Sequence, residues 1–233
     1  MTVAAVILAA NPTSALADAD GTPAARRVAN VAWAGGATPV VVCSFDPAGD
    51  VAASLANAEV TLVDPVDPAL GPVGQIVNGV RAAASLVTEM DAALVWPARM
   101  AWVDAETVTS LIAAHGVDRA TVLRPAYDGR PGWPVLLPLA HLPLFGTLAP
   151  DRMPDDLFAD LEASGAPVRA VETGDPGAVH DVTFPRSGLP PYDGPPEPAD
   201  GHVHEWGAGI GDEPDEAPVS RPGRLGVPGP ADA

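Results

Sequence analysis

Lysine is absent from this sequence of 233 residues, and all twelve of its basic residues are arginines. Thirty carboxylates outnumber them, so the formal net charge is −18 at pH 7. A surface with this excess of negative charge repels polyanions. The composition therefore argues against nucleic acid or an anionic membrane as a partner, and it favours either plain solubility or binding to a basic protein surface.

Cysteine and long hydrophobic segments are also scarce. Cys43 is the only cysteine and lies in the apolar run 39–43, so we expect it to be buried in a strand, and no disulfide can form within the chain. The apolar N-terminus carries no basic residue and stops at Asn11, too short to cross a bilayer. We therefore expect a cytoplasmic protein that is mature from Met1.

Apolar runs of strand length alternate with segments of helical periodicity. The continuous run 2–10 predicts a buried parallel strand that opens into a loop over residues 11–14. The remaining pattern predicts helices over 23–35, 51–57, 73–89 and 104–116, and strands over 38–44, 60–63, 92–96, 120–124 and 135–137. This alternation predicts an α/β domain in which a mostly parallel sheet is covered on both faces, with a ligand site at the carboxyl ends of its strands.

The pattern ends near Phe184. Beyond it, paired prolines, glycines and scattered acidic residues disfavour helices and sheet ladders, so we expect a domain over 1–186 and a Pro/Gly-rich acidic tail over 187–233. Leu189, Tyr192 and Trp206 interrupt this polar stretch. They indicate either anchors that contact a partner protein or the chain's own domain, or a disordered tail that serves solubility.

Four segments resemble those of a known family. They are the strand 4–10, the helix start Asp104-Ala105-Glu106-Thr107-Val108, the segment 122–137 that contains Gly132-Trp133-Pro134-Val135-Leu136, and the closing segment 174–185. In this order, over roughly residues 3–186, they resemble the MobA-like nucleotidyltransferases, which include the enzymes that attach CMP or GMP to molybdopterin. The resemblance implies a three-layer Rossmann-like fold and, in an active member, Mg²⁺ with CTP or GTP.

The resemblance also implies where a nucleotide would bind. By family position these residues are Ala10, Asn11, Thr13, Ser14, Gly71 and Gly74. An active member holds its triphosphate with a glycine-rich loop that contains an arginine and a lysine. Here Asn11 stands at the loop glycine, Pro12 removes an amide donor, and Asp18 and Asp20 add negative charge. No lysine elsewhere in the chain can replace the missing one.

The two metal positions of the family are altered as well. Arg99 stands where the resemblance places a metal-binding aspartate, and a cation there opposes a divalent metal. The second position falls on Asp181 or Thr183. Thr183 is favoured there, although its hydroxyl is a poor ligand for a hard cation, and Asp181 remains a candidate metal ligand.

The other candidate groups have ordinary structural interpretations beside the functional ones. Arg26 and Arg27 indicate a solvated helix face or a reduced anion site; His115 and His180 indicate a helix end and a strand end rather than catalysis. His202, His204 and Glu205 are close enough in sequence for a metal site but lie in the predicted tail, where solvated or interface histidines are the alternative. The glycines of 207–211 imitate a phosphate loop without its strand and helix.

Two functions follow from these residues. One is a nucleotidyltransferase fold without catalysis, needing no cofactor, that serves as a scaffold or accessory subunit and binds another protein or an enzyme complex linked to a molybdenum enzyme. The other is a divergent cytidylyl- or guanylyltransferase of molybdenum-cofactor maturation, in which arginines replace the lysine as phosphate ligands.

Overall fold

The computed structural model describes residues 1–9, 11–192 and 194–195. Its strands are β1 (Val3–Leu8), β2 (Val40–Cys43), β3 (Thr61–Val63), β4 (Ala92–Pro97), β5 (Val122–Tyr127), β6 (Arg130–Pro131), β7 (Val135–Pro138) and β8 (Val168–Glu172). Its α-helices are α1 (Pro12–Ala15), α2 (Ala24–Ala34), α3 (Asp50–Ser54), α4 (Gly71–Ser85), α5 (Ala105–Val117) and α6 (Pro154–Ala163). Short 3₁₀ turns cover Pro68–Leu70, Leu139–Thr147, Pro176–Ala178 and Arg186–Gly188.

The strands form one mixed sheet in the order β3-β2-β1-β4-β7-β5-β6, with β8 paired to β5. Strands β3, β2, β1 and β4 are mutually parallel, and β5 is parallel to β8. Strand β7 runs antiparallel to both of its neighbours, β4 and β5. The reversal arises at Asp128-Gly129, where two successive positive φ angles close a two-residue turn between β5 and β6.

The centre of the sheet is fully enclosed. Every residue of β4 is buried, and so is every residue of β1 except Leu8. Successive side chains of a strand point to opposite faces, so complete burial of β4 requires helices on both faces of the sheet. Helix α4 packs on one face, where the glycine at position 79 lets its backbone approach the Val6 and Cys43 side chains.

The predicted α/β architecture is confirmed, and the predicted helices and strands through residue 137 are found with shifted ends. Asp104 caps α5 as expected, because its Oδ1 accepts a hydrogen bond from the Glu106 amide at 3.0 Å. Cys43 is buried in β2, as predicted. Within the described residues, no helix is long and apolar enough to cross a membrane.

Two parts of the chain differ from the prediction. The expected loop over 11–14 contains the single turn of α1, capped by the Asn11 side chain, which accepts a hydrogen bond from the Ser14 amide at 2.9 Å. Helix α6 and strand β8 were not predicted. Strand β8 lies on the outer side of β5 with mostly exposed side chains, so its sequence has neither an apolar run nor a clear alternation.

Candidate functional site

A pocket of about 530 Å³ opens where β4 ends and β7 begins. We call it the cationic pocket because three arginines line it against two carboxylates. Its polar and aromatic lining consists of Arg99, Arg124, Arg130, Asp155, Asp181, His180, Thr183, Trp133 and Phe184. These residues come from separate stretches of the chain, and the fold places them at the carboxyl end of β4, the edge of the sheet where α/β proteins bind ligands.

Arg99 connects the two carboxylates of the pocket. Its Nη2 lies 3.2 Å from Asp155 Oδ2, at the start of α6, and its Nη1 lies 3.9 Å from Asp181 Oδ2. The other oxygen of Asp181 accepts hydrogen bonds from the Thr183 amide and hydroxyl at 2.9 and 2.6 Å. The Val182 amide also donates to the Arg99 carbonyl at 2.9 Å, which fixes the closing segment beside the end of β4.

The residues at this position do not fit a divalent cation. Mg²⁺ requires closely spaced oxygen ligands in near-octahedral geometry. Here the Asp155 and Asp181 carboxylates face the Arg99 guanidinium, and the Thr183 hydroxyl donates a hydrogen bond to Asp181. A metal ion at Asp181 would stand close to the Arg99 guanidinium, which would repel it, and the part of the chain that the structure describes contains no cluster of three or more His, Cys, Asp or Glu that could hold one.

Arg124 forms the inner wall of the pocket. Its Nε donates to the Gly132 carbonyl at 3.2 Å, and its guanidinium lies over the Trp133 ring at 6.0 Å and the Phe158 ring at 5.9 Å. Burial lowers the pKa of Arg124, although an arginine remains protonated at physiological pH. The Trp133 indole in turn donates to Asp155 Oδ1 at 2.8 Å, so the aromatic wall and the carboxylate are held together.

His180 has a defined orientation within this lining. Its Nδ1 lies 2.8 Å from the Pro176 carbonyl oxygen, which only accepts hydrogen bonds, so Nδ1 carries the proton in the neutral ring. The ring packs against Phe184 with 4.5 Å between centroids. Sequence reasoning expected an ordinary strand-end histidine; the structure places it at a pocket, after a 3₁₀ turn.

The first turn after β1 is occupied by the protein's own contacts. Asn11 and Thr13 are exposed and Ser14 is half-buried, and the Ser14 amide already donates to the Asn11 side chain. Pro12 contributes no amide. Ala10 lies outside the described residues. Nucleotide binding by these residues therefore remains a prediction, with fewer free amide donors than the family's loop would offer.

The acidic residues that follow this turn also have intramolecular partners. Asp18 accepts a hydrogen bond from the Gly21 amide at 2.9 Å, which closes a turn. Asp20 adopts a positive φ of 61° and pairs with Arg186 at 3.3 Å. The Asp18 contact thus closes a turn in the connection between α1 and α2, and the Asp20 pair joins that connection to the 3₁₀ turn at Arg186.

Gly71 and Gly74 begin α4, and packing explains why both are glycine. A side chain at Gly71 would overlap the Pro150 carbonyl, and one at Gly74 would overlap Leu70. Gly71 also has a φ of +57°. Packing requires glycine at both positions whether or not a ligand binds. The role of Gly71 and Gly74 in nucleotide binding therefore stays a prediction.

The expectation that Arg26 and Arg27 form a solvated helix face is wrong. Arg26 donates through Nη1 to the main-chain carbonyls of Ser54 and Ala56 at 3.1 and 2.6 Å. Arg27 donates through Nε to a carbonyl in the loop after β4, at 2.8 Å, and its guanidinium lies 5.4 Å from the centre of the Trp102 ring. Burial is the main cause that lowers the pKa of Arg27. Both arginines therefore attach α2 to neighbouring loops.

The predicted anchors of the tail contact this chain's own domain where the structure describes them. Leu189 is half-buried against the hydrophobic core. Tyr192 lies near the carboxylates at the start of α5, and burial raises the pKa of its phenol to about 12. Both lie beyond the predicted boundary at 186, which agrees with the alternative in which tail residues fold against the domain. Trp206, His202, His204, Glu205 and the glycines of 207–211 lie outside the described residues.

Five residues of the polar and aromatic lining were missed as site residues: Arg124, Arg130, Trp133, Asp155 and Phe184. The first three lie in the segment that carries the family resemblance, so the grouping of arginines around an aromatic residue was the available signal. Asp155 had none. It reaches the pocket only through the packing of α6, and its partner Arg99 lies 56 residues earlier in the chain.

Comparisons with known proteins agree with this fold. A nucleotidyl transferase from Methanothermobacter superposes with a TM-score of 0.57 at 19% identity, over 73% of this chain and 87% of its own. A cytidylyltransferase for 2-C-methyl-D-erythritol 4-phosphate from Thermus thermophilus gives 0.58 at 17%, over 80% and 95%. The Mycobacterium tuberculosis protein Rv0371c, solved in complex with manganese, gives 0.56 at 14%, over 74% and 88%. At these identities the likeness shows the fold alone.

Sequence comparison gives the family. No curated protein matches the chain significantly. The model of the MobA-like NTP transferase domain matches residues 6–165, which is more than half of the chain and extends from within β1 through α6. This chain therefore belongs to the family of MobA-like NTP transferase domains.

Proposed function

We propose that this chain is a nucleotidyltransferase-like protein that does not transfer nucleotidyl groups, and that it serves in the cytoplasm as a scaffold or accessory subunit for another protein. The first partner class to test is a molybdenum enzyme or its maturation complex, since the family resemblance includes enzymes of that cofactor. The loss of nucleotidyl transfer and the binding of a partner protein are separate properties, and each has its own test.

The arrangement of Arg99 between Asp155 and Asp181 is the observation that carries the proposal. Nucleotidyl transfer releases pyrophosphate, and the departing charge must be neutralised by a cation that can bind it. In this chain Arg99 stands at the family's metal position, and its guanidinium is already paired with the Asp155 and Asp181 carboxylates. It can neither coordinate phosphate oxygens as a metal ion does nor lower the pKa of an attacking hydroxyl through a metal–oxygen bond.

The first turn supports the same conclusion. A triphosphate loop offers several backbone amides and a lysine. Here Pro12 has no amide, the Ser14 amide is used by Asn11, and the chain has no lysine. The two features lie in separate segments of the chain, so we expect that restoring one would not restore transfer.

The test has two readouts on the full chain. Purified protein is incubated with Mg²⁺ and each of CTP, GTP, ATP and UTP, together with a molybdopterin-containing extract, and pyrophosphate release is measured; we expect none above a no-protein blank. In parallel, tagged protein is recovered from its native cells under gentle lysis, and we expect a stoichiometric partner. Nucleotide-dependent pyrophosphate release would refute the first part, and recovery of the chain alone would refute the second.

A divergent active transferase is the second candidate, and one observation favours it. Arg124 and Arg130 have no carboxylate within 4.0 Å among the described residues, so they are available to a phosphate group. Arginine is a competent phosphate ligand. This function predicts Mg²⁺-dependent pyrophosphate release and thermal stabilisation by CTP or GTP, and the absence of both would eliminate it.

A further inference from the structure

The cationic pocket holds more positive charge than its own carboxylates neutralise. Asp155 and Asp181 both pair with Arg99, whereas Arg124 and Arg130 have no ion-pair partner among the described residues. The Gly132 carbonyl and two aromatic rings hold Arg124, and Arg130 is exposed, so a bound anion would supply the opposite charge that neither arginine has within 4.0 Å among the described residues.

We propose that the Arg99 guanidinium takes the place of a divalent cation in this pocket, so that the pocket binds an oxyanion, a phosphate or carboxylate group on a small molecule, without any metal ion. This inference rests on the proposed function, in which metal-dependent transfer has been lost. The pocket volume of about 530 Å³ suits a small molecule.

Arg99 offsets part of the negative charge of the two carboxylates that line the pocket, and its side chain is partly exposed. Its planar fork bridges Asp155 on α6 and Asp181 in the closing segment, which come from distant parts of the chain. Without it, these two carboxylates would repel an incoming anion. Because Arg99 is part of the chain, the pocket can bind an anion at any time, whereas a metal-dependent site binds an anion only when its metal ion is present.

Arg124 is the residue best placed to contact the anion. Its hydrogen bond to Gly132 uses Nε, and the stacking on Trp133 and Phe158 uses the faces of the guanidinium. Those contacts leave its Nη groups for a ligand. The guanidinium is half-buried and already oriented, so less entropy is lost on binding than with a mobile surface arginine. Arg130, exposed at the rim, adds a second positive charge.

The first experiment measures binding of inorganic pyrophosphate and of citrate to the full chain by titration calorimetry, at low salt and with EDTA present. We expect saturable binding of at least one probe with a stoichiometry near one, and the tighter probe identifies the preferred oxyanion. Arg124→Gln and Arg99→Gln should each weaken binding about tenfold, since each removes a charge-assisted contact or its compensating charge.

Arg81→Gln is the matched control. Arg81 is exposed on α4 and forms no ion pair in the described part of the chain, so removing its charge should change the affinity less than about twofold. If neither probe binds in EDTA, or if Arg81→Gln weakens binding as much as Arg124→Gln, a specific anion site is ruled out.

The second experiment tests the replacement of the metal directly. Electron paramagnetic resonance of Mn²⁺ should show no bound ion on the wild-type chain at millimolar concentration. Arg99→Asp places a third carboxylate beside Asp155 and Asp181, and we expect it to gain one Mn²⁺ site that Mg²⁺ displaces. Bound Mn²⁺ in the wild type that Asp181→Asn removes would overturn the inference, as would a folded Arg99→Asp chain that gains no site.

Circular dichroism and urea unfolding establish whether Arg99→Asp folds. If it does not, Arg99→Gln in the calorimetric experiment decides the question, because it removes the charge without adding repulsion. The outcomes also separate the two proposals. Absence of anion binding together with absence of nucleotide turnover overturns this inference alone, whereas Mg²⁺-dependent pyrophosphate release overturns the proposed function.

Discussion

Replacing His115 by leucine should stabilise the protein. The imidazole lies in the last turn of α5 with no exposed surface, and neither ring nitrogen has a hydrogen-bond partner among the described residues. A buried polar group without a partner costs about 1–3 kcal/mol. Leucine has nearly the volume of histidine and no polar atoms, so His115→Leu should raise the free energy of unfolding by about 1–3 kcal/mol, offset in part by imperfect packing.

The same substitution should change how stability depends on pH. Burial is the main cause that lowers the pKa of His115 below its ordinary value of 6.5. Below that value the unfolded chain binds a proton that the folded chain does not, so wild-type stability falls as the pH falls from 6.5 toward the lowered folded pKa. One such group contributes at most about 1.4 kcal/mol per pH unit. His115→Leu removes this contribution.

Urea unfolding at pH 7.5 and pH 5.5, followed by tryptophan fluorescence and circular dichroism, measures both effects. We expect the variant to be more stable at pH 7.5 and its advantage to grow at pH 5.5. Asp175, whose pKa burial raises, contributes a pH dependence of opposite sign, but it is present in both proteins and cancels in the difference. A variant that is less stable at both pH values, or an advantage that does not grow, would refute the account of a neutral, unpartnered imidazole.

Two further predictions concern the loops and the core. Gly132→Ala should destabilise the fold by about 1–3 kcal/mol, because the new methyl group would overlap the Ala178 carbonyl, whereas Gly146→Ala, with open space around it, should cost much less; equal losses in urea unfolding would contradict this packing. Cys43 should react with a thiol reagent only as fast as the protein unfolds, since it is buried and burial raises its pKa to about 12; rapid labelling of the folded chain would show that the thiol is accessible.

The fold was predictable where burial leaves a strong local signal. Strands β1 and β4 are enclosed on both faces, so their sequences are continuous apolar runs, and α5 carries a capping aspartate at its start. The edge strand β8 was not predictable, because burial leaves no such signal where side chains are exposed. Most side chains of β8 are exposed, and the strand is defined by its pairing with β5 rather than by an apolar pattern.

The candidate site shows the same division. The residue at position 99 and the absence of lysine were visible in the sequence; the first indicated a changed metal site and the second a changed triphosphate loop. The partners of Arg99 were not. Asp155 belongs to α6, which had no predicted place, and Arg26 and Arg27 were expected in solvent because local spacing does not reveal the carbonyls that receive their hydrogen bonds.

The sequence by itself determined the class of fold, the family resemblance and the predicted departures from the family's site, because each depends on residue identity and on spacing over a few turns of chain. Only the tertiary structure decided that Arg99 meets Asp155 and Asp181. It also decided that, among the residues it describes, Arg124 and Arg130 have no ion-pair partner and the buried His115 ring has no hydrogen-bond partner. Electrostatic and hydrogen-bond energies fall steeply with distance, and the distances between residues far apart in sequence are set by how the helices pack on the sheet.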